Sequence, residues 1–212
     1  MERIQEFYNK INGSYFLFIR VAISILTIVI AVALYTAGSA SYGILTNFIS
    51  DLGATSAPNG AFIAFSSGLI LNSLVSPFGS LYLFIFFQKK EIKNKWVIWL
   101  WFLIDIISII AGFFVAIFPE DTMLSPHLVA ALIIFFFGML SNFFYGILIF
   151  LTKKIANYHS IPGFILAIIS ITFMMSWIFV NNLSLITLLE WLVLFGGWIF
   201  GIYLGILTLK SN

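Results

Sequence analysis

Six apolar runs, each long enough to cross a bilayer, leave this chain few ways to fold. They are Tyr15–Ala37, Ala61–Phe87, Trp96–Phe118, His127–Leu151, Pro162–Val180 and Leu185–Leu209. About 20 consecutive apolar residues in a helix cover the roughly 30 Å of hydrocarbon in a membrane. The first run is too long for the h-region of a signal peptide, about 7–15 residues, and is expected to be a span. Only 8% of the residues are charged, against roughly 25% in soluble domains, too few to coat a water-facing surface. The sequence therefore predicts an all-α, polytopic membrane protein: a six-transmembrane-helix bundle forming one transmembrane domain over residues 1–212, in the cell membrane.

The basic residues set the orientation. They are Arg3, Lys10, Arg20, Lys89, Lys90, Lys93, Lys95, Lys153, Lys154 and Lys210. With six spans all ten fall on one side, and lysine and arginine favour the cytoplasmic side. Both termini are expected there. Glu2–Ile11 reads as an interfacial helix, with Ile4, Phe7, Tyr8 and Ile11 on one stripe, ended by Asn12-Gly13-Ser14. In the long first outer loop, Gly38–Gly60, the segment from Tyr42 to Gly53 reads as a short amphipathic helix ended by glycine. Asn181–Ser184 is so short that spans five and six must form an antiparallel hairpin.

Lipid tails give helices no hydrophobic reason to associate, so small residues and interhelical hydrogen bonds are expected to hold the bundle. Gly197, Gly201 and Gly205 form a four-residue ridge on span six, read as close internal packing in preference to a dimer seam. Span two carries Asn72, Ser76 and Ser80 on one stripe, with Pro77 bending the helix. Asp105 lies deep in span three, where a charge needs a partner or a proton. At ~1.5 Å per residue, Asn72 and Asp105 share a level on neighbouring antiparallel helices, which predicts an Asn72–Asp105 hydrogen bond. We read it as a packing clasp, since nothing titratable continues from Asp105 toward the inner face.

The outer side gathers the acids. Asp51 lies in the first outer loop, and Glu120 and Asp121 follow Pro119. Ser125 and Pro126, a good N-cap and first helical residue, precede His127, and Glu190 enters the last span. No lysine or arginine joins them. Crowded carboxylates repel, so some must hold protons, bind a cation or meet a positive partner. Asp51, Asp121, His127 and Glu190 are read as a shared site, and Glu120 as an ordinary solvated loop charge. His127 is outside and His159, read as a solvated loop residue, is inside. Bis-histidine haem and three-histidine zinc are therefore excluded within one subunit. If a metal binds, its ligands are expected to be Asp51, Asp121, His127 and Glu190. The chain has no cysteine, which removes disulfides, thiolate metal sites and cysteine nucleophiles. No phosphate-binding glycine loop or GxSxG elbow is present.

The run Asn47-Phe48-Ile49-Ser50-Asp51-Leu52-Gly53, then Phe118-Pro119-Glu120-Asp121 with His127 downstream, then Glu190-Trp191, resembles domain-of-unknown-function family 998. This is a set of six-span membrane proteins common in archaea and some bacteria. The resemblance covers nearly the whole chain and carries the family pattern onto Asn47, Ser50, Asp51, Gly53, Pro119, Asp121, His127 and Glu190. It implies that these residues converge on the outer side. It assigns no activity.

The preferred functional reading is a non-catalytic membrane protein, lipid- or cation-binding or an accessory subunit of a larger complex. A membrane-embedded metal-dependent lipid hydrolase using the outer cluster is the alternative. A transporter of protons or small solutes ranks last, because the spans supply only Asn72, Asp105 and Asn142 as strongly polar side chains. The expected partners are membrane lipids and other membrane subunits, with no nucleic acid and no cofactor.

Overall fold

In the computed structural model, residues 2–37, 41–153 and 155–210 are described. Seven α-helices form: α1 (Glu2–Lys10), α2 (Ser14–Ala37), α3 (Ala61–Gln88), α4 (Trp96–Ile117), α5 (Leu124–Phe150), α6 (Ile161–Phe179) and α7 (Leu183–Lys210). The six helices α2 to α7 are long and apolar enough to cross a membrane. α3 runs unbroken through Pro77. α5 starts at Leu124, with no side-chain cap, so Ser125 and Pro126 lie inside its first turn rather than before it. Pro126 is tolerated there because the first amides of a helix have no intrahelical acceptor.

Each long helix packs on the next, and α7 returns to pack on α2, so the six close into a ring. Small residues permit the approaches. A Cβ on Gly68 of α3 would stand 2.3 Å from Thr27 of α2, and one on Gly163 of α6 would stand 2.8 Å from the Asn142 carbonyl of α5. On α7, Gly201 and Gly205 abut Val21 and Phe18 of α2, closing the ring, while Gly197 has nothing within 4 Å. Two-thirds of the predicted glycine ridge thus makes internal packing, and the third faces open space.

The helix ends near the lysines are filled. Leu17, Phe87, Trp101, Tyr145, Leu148, Phe200 and Leu204 belong to one continuous buried cluster there. α1 docks against this end, its Tyr8 hydroxyl donating to the Phe78 carbonyl at 2.6 Å. Gly13 lets the chain turn tightly, since a Cβ would stand 2.2 Å from the Tyr82 ring. Ser14 then ties α2 to Thr208 of α7 at 2.8 Å. His159, predicted to be solvated, is half-buried with Nδ1 hydrogen-bonded to the Tyr203 hydroxyl.

Two intramembrane expectations need correction. Asp105 is not held by Asn72. It accepts hydrogen bonds from Ser80 Oγ of α3 and from Ser141 Oγ of α5, the latter at 2.7 Å. Asn72 instead donates to the Arg20 carbonyl at 2.7 Å and accepts from Ser76 at 2.9 Å. Equal depth placed the two residues at one level, but their side chains point to different neighbours around the ring. Arg20, counted above with the water-facing charges, lies within α2 and lines an internal cavity.

Candidate functional site

At the ring end opposite the lysines, the 42–56 segment folds down over the helices. The helix expected from Tyr42 to Gly53 is a turn at 44–46 followed by one short 3-10 helix, Ile49–Gly53. Side chains displace the helix by bonding locally, as asparagine and aspartate often do. Asn47 Oδ1 accepts from the Gly43 amide at 3.2 Å and from Thr46 Oγ1 at 2.9 Å, while its Nδ2 donates to Asp51 at 2.9 Å. Asp51 also accepts the Phe48 amide at 3.1 Å. Leu52 is fully buried beside Ile28, Ala31, Phe65 and Trp191. A Cβ on Gly53 would stand 2.7 Å from the Phe65 ring. Asp51, Leu52 and Gly53 are thus a cap, an anchor and a close approach in successive residues.

Glu190 and Trp191 of α7 hold this segment from below. The Ile49 amide donates to Glu190 Oε2 at 2.9 Å, and Trp191 Nε1 donates to the Asn47 carbonyl at 3.2 Å. Glu190 is only 6% exposed, and its second oxygen has no hydrogen-bond partner among the described residues. Asp121 ties the next stretch, accepting from the Thr55 amide at 2.9 Å, Thr55 Oγ1 at 2.8 Å and the Ser56 amide at 3.0 Å. These bonds, the Thr55 amide first, hold its carboxyl well below the usual carboxylate range.

Glu120 is not the solvated loop charge expected from its position. It lies beside Ser50 and Asp51, and 3.9 Å from Nε2 of the buried His127. Burial, reinforced by Asp51 and Asp121, pushes its carboxyl up to about 7, against the pull of the Ser50 hydroxyl. His127 Nδ1 is 2.6 Å from the Phe118 carbonyl. A carbonyl only accepts, so Nδ1 carries the hydrogen and Nε2 faces Glu120.

Two cavities adjoin at Glu190. One, of about 380 Å³, is lined by Asp51, Glu120, Asp121 and Glu190 and continues between α5 and α6 past Leu128, Phe173 and Trp177. The other, of about 340 Å³, runs inside the ring and receives residues from all six long helices. Ser50, His127 and Glu190 line one part of it, and Arg20 and Asn72 another. Asp51, Asp121 and Glu190 therefore face one cavity, while His127 joins Glu190 in the other. Asn47 shapes the loop.

Over residues 21–207 the chain matches the family described as "Protein of unknown function (DUF998)". The chain belongs to the DUF998 family. No curated protein and no solved structure matches it.

The expected metal quartet does not form in this DUF998 chain. Among the described residues no three His, Asp or Glu side chains converge as a metal site would require. Asp121 is turned to Thr55 and Ser56, Glu190 to Ile49, and His127 Nδ1 to Phe118. Glu120, expected as a solvated loop charge, and Arg20, expected among the inner-side charges, both line cavities instead. Glu120 carried one available signal, its place between Pro119 and Asp121 in the short loop opposite Asp51. For Arg20 the signal was its depth, six residues into α2.

Proposed function

We propose that this DUF998 chain is a multi-pass membrane protein, with both termini cytoplasmic, that binds an amphiphile with a cationic headgroup and catalyses nothing. The observation that carries this reading is the cavity whose mouth is four carboxylates and whose wall is apolar. Asp51, Glu120, Asp121 and Glu190 line it, with no lysine or arginine among its lining residues, next to the α5–α6 groove of Leu128, Phe173 and Trp177. An ammonium group supplies the positive charge this mouth lacks, and an alkyl chain matches the groove. Such a division, mostly apolar walls with a few placed polar groups, is the usual form of a small-molecule site.

The absence of an aligned nucleophile favours binding over hydrolysis. No hydrogen bond joins Ser50 to His127, and His127 directs Nδ1 to a backbone carbonyl rather than to an acid, so among the described residues no serine–histidine–acid relay is laid out. The packed lysine end favours a dead-ended site over a conduit. Cytoplasmic termini follow from the positive-inside rule, since Lys89, Lys93, Lys95, Lys153 and Lys210 flank the same ends of the helices.

Native mass spectrometry in an uncharged detergent tests the binding. Decyltrimethylammonium is expected to bind wild-type protein at one site and to lose affinity by about tenfold or more in Glu190→Gln, in line with a charge-assisted contact. Equal retention by the variant, or no binding by wild type, contradicts the proposal. Because the chain has no cysteine, single cysteines report sidedness cleanly. In intact cells a membrane-impermeant maleimide should label Thr55→Cys and spare Lys93→Cys; the reverse pattern inverts the topology.

A further inference from the structure

We infer that Arg20 forms the floor of a second subsite, inside the ring, that takes the carboxylate or phosphate of a small anionic amphiphile. Arg20 enters the ring from α2 and lines the axial cavity. Its backbone is pinned by Asn72 Nδ2 at 2.7 Å. Its guanidinium sits beside Gly201 of α7, where an added Cβ would be 3.9 Å from a terminal nitrogen. No described residue gives that guanidinium a hydrogen bond or an ion-pair contact. Asp105 is the opposite charge that acts on it, from beyond ion-pair contact, its oxygens accepting from Ser80 and Ser141.

A half-buried guanidinium with its N–H fork at a cavity wall is thus left, inside a membrane-spanning helix, with no anion in contact. A charge in that position is strongly disfavoured unless an anion meets it. The planar fork fits a carboxylate or phosphate in a bidentate manner. Ser24 adds a donor on the same helix: its oxygen accepts from Trp198 Nε1 at 2.8 Å, leaving the hydroxyl hydrogen free. Ile28, Leu69, Met139 and Leu194 supply apolar walls. From Glu190 to Gly201 is eleven residues of α7, roughly 16 Å at the helical rise, so this floor is distinct from the carboxylate mouth and of opposite sign.

The test uses the full chain in an uncharged maltoside detergent, with decanoate and decyl phosphate offered separately in native mass spectrometry. Wild-type protein is expected to bind at least one of them, and the stronger binder identifies the headgroup. Arg20→Gln should weaken that binding by about tenfold or more, Arg20→Lys by less, and Lys93→Gln, on the surface, not at all. No binding by wild type, or undiminished binding by Arg20→Gln, overturns the inference. Should Arg20→Gln fail to fold, quenching by the stronger of the two binders, brominated on its chain, gives a second reading. Quenching that falls in Trp198→Phe supports the site, and quenching unchanged in that variant places the ligand elsewhere and overturns it. This subsite stands or falls apart from the mouth, because decyltrimethylammonium binding by wild type reports on the mouth alone.

Discussion

The two ends of the helical ring are built on opposite plans. At the lysine end, aromatic and aliphatic side chains fill the space: Phe87 stacks edge-on against Trp101 and Tyr145, and Tyr145 against Phe200. At the acidic end the same six helices leave two adjoining cavities, roofed by a segment held through hydrogen bonds to Asp51, Asp121 and Glu190. Packed interiors tolerate little change in volume. A hollow lined by charge persists only where a roof and an internal network support it. One end holds the ring together, and the other end holds its candidate chemistry.

Substitutions should therefore behave differently at the two ends. Leu148→Ala, at a fully buried position of the filled end, is expected to cost about 2–5 kcal/mol, from lost contacts plus the cavity left behind. Reversible unfolding in mixed micelles measures this, and a cost below 1 kcal/mol would show that this end is loosely packed. The glycines of α7 give a sharper contrast within one helix. Gly201→Ala puts a methyl 2.6 Å from Val21 and should destabilise by about 1–3 kcal/mol. Gly197→Ala meets nothing within 4 Å; it should leave stability nearly unchanged while narrowing the axial cavity. Equal effects at the two positions would break the distinction between a tight seam and an open wall.

A smaller effect separates the ends by pH. Burial raises the Glu120 carboxyl from the ordinary 4.5 to about 7, so folding favours its protonated form. The stability it contributes is complete below about pH 4.5 and is lost as pH rises through about 7. Thermal unfolding followed across that window should show a decline that Glu120→Gln flattens. Cation binding runs the other way: ionisation of Glu120 between pH 6 and 8 should strengthen decyltrimethylammonium binding by up to about tenfold. Profiles identical in wild type and Glu120→Gln would remove Glu120 from the site.

The sequence reading reached the helices more surely than their contacts. Hydropathy gives the six spans within a few residues, because long apolar runs have no other stable form in hydrocarbon. Ring closure through α2 and α7 was outside its reach, since periodicity says which face is small but not which helix it meets. The Asn72–Asp105 bond failed for the same reason: residue counting fixes depth, whereas a hydrogen bond also needs direction, and Ser80 and Ser141 have the right one. Asp51, Asp121 and Glu190 were legible as lone carboxylates on a face without basic residues. Glu120 was not, because its burial comes from the tertiary docking of the loop around Ser50 and Asp51. Arg20 was hidden by counting charge per loop, a procedure that assigns each basic residue to water.

The most direct measurement is a density map of the protein in a lipid nanodisc with a decyltrimethylammonium analogue brominated at its tail. Headgroup density is expected among Asp51, Glu120 and Glu190, with the bromine between α5 and α6 near Phe173 and Trp177. Side chains filling that space, or bromine only on the outer surface of the ring, would contradict it.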